Sequence, residues 1–309
     1  MMKKLSYFPD VKSKALNQLS GHRACIYALG GPIGPYDFVS GGGDALVAGW
    51  KKDQPEQGQL IARTSGQVFA LCTLPDKQLV LAGTMQGMLH WLPIGKGQPR
   101  HVQAHKGAIF AILPIGKYIL TAGEDGDLNL WDVDTSTCSW QLHLATRSLR
   151  TLDYYASRNE IAVGASDHNI YLLDAEDFSI RHCIESAHDN SVFTVRYVPH
   201  TTWLLSGGRD AQLKRWVLAD SPTVHQTVPA HMFTINSIAV HPSGKYIATG
   251  SRDKTIRLWD SEQLTLLKGL ERVRDRGHAH SVNALRWLDE RHLVSASDDR
   301  TLILWAIEA

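Results

Sequence analysis

The 309-residue sequence has few cysteines, no excess of either charge and no long apolar run. Its four cysteines lie far apart and form no CxxC pair. We therefore expect reduced thiols that pack as small hydrophobic groups in a reducing compartment. With 32 Lys and Arg against 31 Asp and Glu, the formal net charge is +1. This balance argues against a global basic field for nucleic acid or anionic membrane.

Membrane-spanning and targeting segments are missing as well. No stretch approaches the ~18 continuous apolar residues of a membrane span. The opening MMKKLSYFPDVKSKAL has two adjacent lysines but no apolar run after them, so we predict no secretory signal. We therefore expect a cytoplasmic protein with no membrane partner.

What the sequence does contain is one pattern repeated seven times. In the clearest copy, AHMFTINSIAVHPSGKYIATGSRDKTIRLWD (230–260), the tryptophan marks a position that recurs every 40 to 46 residues. The seven equivalent positions are Trp50, Trp91, Trp131, Leu173, Trp216, Trp259 and Trp305. A period of this length indicates one supersecondary unit built repeatedly, and such arrays usually present a surface rather than a reactive group.

Each copy has the pattern of short β-strands. A Gly- and Asp-rich turn such as TGSRD separates an apolar run from the tryptophan, which is typical of a hairpin. An earlier strand carries two apolar residues three positions apart, such as Ile235 and Ile238, and a fourth run such as TLLKGL follows the tryptophan. Four strands per copy, with no helical pattern, predict a four-stranded antiparallel blade.

These features resemble the WD40-repeat family, because a His, a turn Asp and a Trp recur in register, with an Asp after that position at Asp132, Asp174 and Asp260. The resemblance covers roughly residues 15–306 and implies an all-β, single seven-bladed β-propeller. The segment 14–22 resembles the outer strand that precedes each His, so we predict that this N-terminal strand completes the last blade and closes the ring. We expect residues 11–309 to form the propeller and residues 1–10 to be a flexible N-terminus.

The resemblance also implies that a His, a Ser or Thr, the turn Asp and the Trp form a buried hydrogen-bonded chain in five copies. These sets are His22, Ser40, Asp44 and Trp50; His105, Thr121, Asp125 and Trp131; His188, Ser206, Asp210 and Trp216; His231, Thr249, Asp253 and Trp259; and His278, Ser295, Asp299 and Trp305. A hydrolase needs its nucleophile once, not five times at one structural position. The fifteen histidines are otherwise scattered, whereas zinc needs three or four converging ligands. We therefore predict no catalytic residues, no metal and no cofactor.

Two copies depart from this set. Copy two has Thr64, Leu81 and Met85 in place of His, Ser and Asp, and copy four has Ala145, Val163 and Leu173 but keeps Asp167. Because the replacements are mostly apolar, we expect these two blades to exchange the polar chain for packing, with no half-satisfied group left.

Family geometry implies a binding face around the central channel, formed by two positions per copy. The first position, after the first apolar residue of strand one, carries Tyr27, Phe69, Phe110, Arg150, Phe193, Asn236 and Asn283. The second, before the turn Asp, carries Gly43, Thr84, Glu124, Ser166, Arg209, Arg252 and Asp298. Four aromatics among seven equivalent positions exceed the chain average of 8%, and aromatic and Arg residues are favoured interaction anchors. The rings either bind a partner or plug the channel, a choice that the sequence leaves open.

Charge is uneven on this face. Arg150, Arg209 and Arg252 fall on consecutive copies, flanked by Glu124 and Asp298. They are either solvated surface arginines or a site for carboxylate or phosphate. A connection near LERVRDRG is about four residues longer than its equivalents, and we expect it to project from the same face.

The leading hypothesis is a non-catalytic scaffold that binds a protein or peptide, with an apolar anchor and an acidic segment, at the channel mouth. An enzymatic or small-molecule-binding propeller is the alternative, although Glu124 and Asp298 are few and scattered for such a site. A nucleic-acid binder that uses the arginines and stacking aromatics is a third hypothesis, disfavoured by the neutral net charge.

Overall fold

The computed structural model describes residues 11–54, 56 and 58–308. These residues form 28 strands in seven four-stranded antiparallel sheets. The predicted flexible segment 1–10 lies outside the described residues. The first strand, β1 (Lys12–Ser20), comes before the strands of blade one in the chain.

Each of the first six blades is built from four consecutive strands, which run from the centre of the ring to its outside. Blade one contains β2 (Ile26–Gly30), β3 (Phe38–Gly42), β4 (Leu46–Trp50) and β5 (Gln59–Arg63). Blade two contains β6 (Val68–Leu74), β7 (Leu79–Thr84), β8 (Met88–Pro93) and β9 (Arg100–Gln103). Blade three contains β10 (Ile109–Ile115), β11 (Tyr118–Gly123), β12 (Asp127–Asp132) and β13 (Cys138–His143).

The next three blades repeat this order. Blade four contains β14 (Leu149–Tyr155), β15 (Glu160–Ala165), β16 (Ile170–Asp174) and β17 (Ile180–Ile184). Blade five contains β18 (Val192–Tyr197), β19 (Trp203–Gly208), β20 (Gln212–Val217) and β21 (Thr223–Pro229). Blade six contains β22 (Ile235–Val240), β23 (Tyr246–Ser251), β24 (Ile256–Asp260) and β25 (Leu266–Leu270).

Blade seven is assembled from both ends of the described chain. It contains β26 (Val282–Trp287), β27 (His292–Ser297) and β28 (Thr301–Glu308), and β1 pairs antiparallel with β28 as its outer strand. Lys12 stands opposite Glu308, and Ser20 opposite Thr301. Each inner strand contacts the next one around the ring, and β26 contacts β2. The predicted seven-bladed fold, closed by the N-terminal strand, is therefore confirmed.

In the described part of the chain, helical structure is confined to connections. It comprises one short helix, α1 (Arg272–Asp275), and two 3-10 turns, at Pro75–Lys77 and Ala156–Arg158. No helix in the described ranges has both the length and the apolar character needed to cross a bilayer.

The core lies between neighbouring blades. Between blades seven and one, for example, Leu19, Phe38, Trp50 and Leu304 belong to one cluster of buried side chains. Leu19 from β1 is only 2% exposed, so the closing strand contributes apolar contact as well as backbone hydrogen bonds. Burial of such side chains between sheets is the main force that holds the ring together.

Glycines before the turn Asp allow a close approach of two strands. A Cβ at Gly42 would lie 2.4 Å from the carbonyl oxygen of Cys25, and one at Gly208 would lie 2.5 Å from that of Ser191. Neither glycine has a positive φ. In these turns the residue with a positive φ is the one directly after the Asp, as at Lys254 (76°). The glycines are therefore needed here for space rather than for their backbone angles.

Candidate functional site

The inner strands carry the residues of the central channel, and each has an irregularity near its start. In blade one the pairing of β2 with β3 shifts between Ile26 and Ala28, so that Tyr27 is an extra residue in a β-bulge. The same shift occurs in all seven blades, and the extra residues are Tyr27, Phe69, Phe110, Arg150, Phe193, Asn236 and Asn283. A bulge re-aims the side chain of its extra residue.

All seven bulge residues line a single central cavity with a volume of about 330 Å³. They are the seven residues predicted for the first position of the binding face. The residue that follows each bulge is small, and these residues also line the cavity: Ala28, Ala70, Ala111, Thr151, Thr194, Ser237 and Ala284. Small side chains at this level leave the centre of the ring open.

The aromatic bulge residues form a contiguous row on one side of the cavity. Tyr27 and Phe69 stack with ring centroids 4.6 Å apart, and Phe69 meets Phe110 edge to face at 6.0 Å. The guanidinium of Arg150 lies 4.2 Å from the centroid of Phe110 and 5.1 Å from that of Phe193, as in cation–π pairs. The row is half-buried, so its rings face the cavity without filling it.

The two asparagines among the bulge residues form hydrogen bonds between neighbouring blades. Asn236 Nδ2 donates to Ser281 Oγ (3.0 Å) and to the carbonyl of Val282 (2.9 Å), and so joins blade six to blade seven. Asn283 Nδ2 donates to the carbonyl of Ile26 (3.0 Å) and to Asp298 Oδ1 (2.7 Å), and so joins blade seven to blade one. Both asparagines line the mouth, but their amide nitrogens already serve the seams between blades.

The charged residues of the second position lie outside the cavity lining. Arg209 and Arg252 are exposed, and no acidic group in the described part of the chain lies within 4 Å of either guanidinium. Glu124 is exposed and accepts a hydrogen bond from the Ala108 amide (3.1 Å). The backbone amides of these turns bond to the residue just before each inner strand, as Arg209 N does to Ser191 O (3.0 Å). The second set therefore stands on the same face as the bulges, around the cavity rather than inside it.

Burial changes the titration of two mouth residues. It lowers the pKa of the Arg150 guanidinium, an effect that the nearby Glu124 carboxylate partly offsets. The Arg150 Nε atom donates to Ser166 Oγ at 2.9 Å. Burial, with smaller contributions from Cys25 and Asp298, raises the pKa of Tyr27 to about 12. The Tyr27 hydroxyl is therefore a neutral donor at physiological pH.

Two cavity residues escaped the sequence analysis, namely Arg196 and Arg286. Each lies three residues after a bulge residue, Phe193 in one case and Asn283 in the other. The equivalent residues in the other five blades are Gly30, Cys72, Leu113, Asp153 and Ala239, so the position carries no repeated signal. Their position three residues after a predicted mouth residue is the only sequence feature that Arg196 and Arg286 share.

The hydrogen-bonded sets predicted for five blades are all present. In blade six the Asp253 carboxylate accepts from His231 Nδ1 (2.9 Å), while His231 Nε2 lies 2.7 Å from Thr249 Oγ1. Trp259 Nε1 donates to the same hydroxyl (2.9 Å). Equivalent bonds occur in blades one, three, five and seven. The buried histidines and hydroxyls are thus committed to holding the third strand.

These networks control the protonation of their aspartates. Burial by itself raises the pKa of Asp253, but hydrogen bonds from His231 and Thr255 and the charge of His231 outweigh it and hold the pKa well below its ordinary range. In blade three the same balance lowers the pKa of Asp125 to about 2. The turn aspartates are therefore ionised at neutral pH and anchored as acceptors.

Blade two corrects one expectation. Leu81 replaces the bridging hydroxyl and is fully buried, and Trp91 Nε1 is buried without a hydrogen-bond partner among the described residues. The prediction that no polar group would be left unsatisfied is therefore wrong for this blade. Met85, at the position of the Asp, is 48% exposed and contributes little packing. Blade four keeps a polar contact, because Tyr171 Oη donates to Asp167 at 2.6 Å.

Other candidate sites are sparse. Within the ranges that the structure describes, no three His, Cys, Asp or Glu side chains come close enough to hold a metal ion. The long connection after blade six forms α1, whose Val273 is 96% exposed. It borders the turn Asp298–Arg300, on the face where we expected it.

Comparisons with known proteins agree with this geometry. The family model "WD domain, G-beta repeat" matches residues 97–132, 181–216, 222–260 and 270–306. Protein tipD of Dictyostelium discoideum is 24% identical over 305 residues, which cover 95% of this chain and 49% of tipD. Nuclear distribution protein PAC1 of Coccidioides posadasii is 26% identical over 292 residues, 70% of this chain and 60% of that protein. The chain thus spans about half to three-fifths of the length of these relatives.

A solved structure supports the fold itself. The WD40 β-propeller domain of Doa1 superposes with a TM-score of 0.84 and covers 96% of this chain and 97% of its own, at 18% sequence identity. The similarity extends to the whole ring and concerns the architecture of the chain.

Proposed function

We propose that this chain, which carries WD40 repeats and folds as a seven-bladed β-propeller, is a non-catalytic scaffold that binds a polypeptide at the mouth of its central channel. The observation that supports this proposal is the row formed by Tyr27, Phe69, Phe110, Arg150 and Phe193. Five large side chains, presented by equivalent bulges, stand half-exposed beside an open cavity.

The row has the chemistry of an interface centre. Aromatic side chains bury large areas with little loss of conformational freedom, and aromatic and Arg side chains dominate the energies of measured interfaces. Phe110 occupies the middle of the row, between Phe69 and Arg150. We therefore assign most of the binding energy to the ring side chains around Phe110.

The exposed arginines of the face supply the second part of the proposal. Arg209 and Arg252 have no acidic partner in the described chain, so they remain available to an acidic segment of the partner. Charges at the rim of an interface mainly steer association and give less affinity than buried anchors. The partner that fits is a polypeptide with an aromatic or aliphatic anchor next to acidic residues.

This proposal is favoured over catalysis and over nucleic-acid binding. The cavity lining contains neither a carboxylate nor a histidine in the described chain, and both groups are common in general acid–base chemistry. Nucleic-acid binding predicts a steep fall of affinity with salt, which an interface centred on apolar rings does not require. We also propose a cytoplasmic location.

The test is an affinity capture with quantitative comparison of three proteins. Partners retained by the wild type should be lost by Phe110→Ala, with a decrease in affinity of about 2 kcal/mol or more if the ring is a hot spot. Ile180→Ala is the matched control, since Ile180 is a 51% exposed apolar residue on an outer strand. Equal capture by both variants contradicts binding at the mouth.

A kinetic measurement on the captured partner tests the role of the arginines. Arg209→Glu should slow association and weaken its dependence on ionic strength, while the dissociation rate changes little. An unchanged association rate removes the acidic segment from the proposal but leaves the aromatic anchor.

A further inference from the structure

The cavity has an unbalanced charge. Three arginines, Arg150, Arg196 and Arg286, line it, and the described residues that line it include no Asp, Glu or His. Arg150 is stacked between two phenylalanine rings and bonded to Ser166. Arg196 and Arg286 lie deeper, three residues further along their inner strands, and also line a second cavity of about 450 Å³. They therefore stand between two cavities of the channel.

Arg286 has no hydrogen-bonding or ion-pair partner among the described residues. None of its guanidinium nitrogens makes a hydrogen bond within the described chain, and no carboxylate there lies within 4 Å of it. A Cβ at Gly31 would lie 2.6 Å from an Arg286 Nη atom and 3.1 Å from Thr73 Oγ1. The side chain thus extends from blade seven to the end of the inner strand of the neighbouring blade one, where a glycine leaves room for it.

Arg196 is fixed by the backbone but only partly satisfied. One Nη atom donates to the carbonyls of Val195 (2.7 Å) and Leu152 (3.3 Å), and its other guanidinium nitrogens make no hydrogen bond to the described residues. Such bonds hold the orientation of the group without neutralising it. The remaining donors of the fork stay available to an acceptor.

The surroundings do not neutralise this pair. Burial, and next the charge of Arg196, lowers the pKa of Arg286. Asp153 lies near Arg196 at the second cavity, but burial raises its pKa, and it accepts a hydrogen bond from the Tyr197 amide (2.7 Å). Arginine stays protonated at physiological pH even when its pKa falls. Arg196 and Arg286 carry the same charge, and no carboxylate of the described residues lies within 4 Å of either guanidinium, so a bound anion relieves their repulsion.

We infer that Arg196 and Arg286 form an oxyanion site at the inner end of the central cavity, which takes a single phosphate- or carboxylate-type group. Two guanidinium forks from different blades match the several oxygens of such a group better than they match a spherical ion. The oxyanion comes either from a free ion or from an acidic side chain that reaches down from the mouth. The inference depends on the chain alone and does not require the proposed polypeptide partner.

The experiment is a titration of the purified chain with inorganic phosphate in a phosphate-free zwitterionic buffer, followed by calorimetry and by thermal melting. We expect one phosphate per chain and a melting temperature that rises with phosphate concentration. Arg286→Met should weaken phosphate binding about tenfold or more, as the loss of a charge-assisted contact does. Arg63→Met, the same substitution at an exposed arginine on the outer strand β5 and away from the mouth, should bind like the wild type.

Stability without phosphate separates a ligand-binding arginine from a structural one. Arg286→Met should then melt no lower than the wild type, because it removes a repulsion and breaks no hydrogen bond. Arg286→Lys keeps the charge and loses the fork, so it should fold and bind phosphate more weakly. A wild type that does not respond to phosphate, an Arg286→Met that binds it equally well, or an Arg286→Met that is strongly destabilised without phosphate would overturn the inference.

A second titration, with N-acetyl-phosphoserine N-methylamide, identifies the source of the anion. Tighter binding than inorganic phosphate, lost in Arg286→Met, assigns the site to a side chain of a bound polypeptide. Binding of inorganic phosphate alone assigns it to a free ion. Both results support the site, and a loss of both in Arg63→Met instead of Arg286→Met contradicts it.

Discussion

Blades six and two have the same four strands in the same order, yet they hold the tryptophan of their third strand differently. In blade six Trp259 donates to Thr249, which is bonded in turn to His231 and Asp253. In blade two Trp91 packs beside Leu81, and its indole N–H has no partner in the described chain. Trp91 is nonetheless only 1% exposed. The blade architecture is therefore set by strand pairing and apolar burial, and the network adds stability to a fold that does not depend on it.

The first and largest test asks whether a complete network holds a blade without its outer strand. Blade seven has the full set around Trp305, but its outer strand is β1. Deletion through Ser20 removes that strand, exposes an unpaired edge and uncovers the cluster around Leu19 and Trp50. We expect loss of the cooperative thermal transition.

The control for this deletion is a shorter one that ends at Asp10 and leaves β1 intact. It should melt like the full chain. Similar melting of the long deletion and the full chain would mean that ring closure contributes little.

The second test removes the central acceptor of a network. Asp253 accepts bonds from His231, from the Met232 amide and from the Thr255 amide and hydroxyl. Asp253→Ala should lower the free energy of unfolding by about 3 kcal/mol, the upper range for a buried charge-assisted set. Met85→Ala changes the equivalent, half-exposed position of blade two and should cost less than about 0.5 kcal/mol. Urea unfolding of both variants checks the difference, and equal losses would contradict it.

The third test uses pH, because we expect blade two, which lacks the network, and blade three, which has it, to lose stability in different pH ranges. In blade two, burial and then the nearby His101 lower the pKa of His90 from 6.5 to about 4. Between these values the unfolded chain binds the proton and the folded chain does not, so acid destabilises the fold by at most about 1.4 kcal/mol per pH unit. In blade three, the Asp125 pKa of about 2 adds stability above pH 3.8 that is lost as the pH falls towards 2.

Two variants separate these windows in denaturant titrations at pH values from 7 to 2. His90→Gln should flatten the decline between about pH 6.5 and 4 and leave the lower part unchanged. Asp125→Asn should flatten only the decline below about pH 4. Identical profiles for His90→Gln and the wild type would show that His90 is not desolvated.

The smallest expected effect comes from the same substitution in both blades. Trp259→Phe removes a hydrogen bond, whereas Trp91→Phe removes an N–H group that already lacks a partner. Both variants lose similar apolar area, so the difference isolates the polar atom. Trp259→Phe should cost about 1 kcal/mol more than Trp91→Phe, and calorimetric melting of the pair measures it. A larger loss for Trp91→Phe would reverse the comparison.

The parts that were predictable from the sequence are those that recur. The interval between tryptophans predicted seven repeated units, and the outer-strand pattern at 14–22 predicted ring closure. The five networks were implied by the resemblance to the WD40 family, at the His, Ser or Thr, Asp and Trp positions that match its motif. A residue that occurs in only one or two of the seven repeats cannot be recognised by comparing the repeats with one another. Arg196 and Arg286 stand where the other five blades have Gly, Cys, Leu, Asp or Ala, so the repeat itself offered no reason to select them.

Other features depend on distances between side chains in the folded protein, which the spacing of residues in the sequence does not determine. The stacking of Tyr27 on Phe69 and the placement of Arg150 over Phe110 follow from ring orientations at neighbouring bulges. The prediction for blade two overlooked the unpartnered indole of Trp91. Leu81 replaces the hydroxyl that accepts this bond in other blades, but the replacement does not remove the donor. A tryptophan keeps its N–H in any environment.

The seven bulges have a consequence for how this ring can change. Because the extra residue of a bulge has no opposite partner in the ladder, its side chain can be exchanged without altering the register of either strand. Tyr, Phe, Arg and Asn already occupy equivalent bulges on one backbone. The five bulges with an aromatic or Arg residue are thus variable sites on a constant frame, comparable to the hypervariable loops of an antibody, whereas Asn236 and Asn283 also join neighbouring blades. A library randomised at these five positions would sample new specificities while the strands that carry them stay the same.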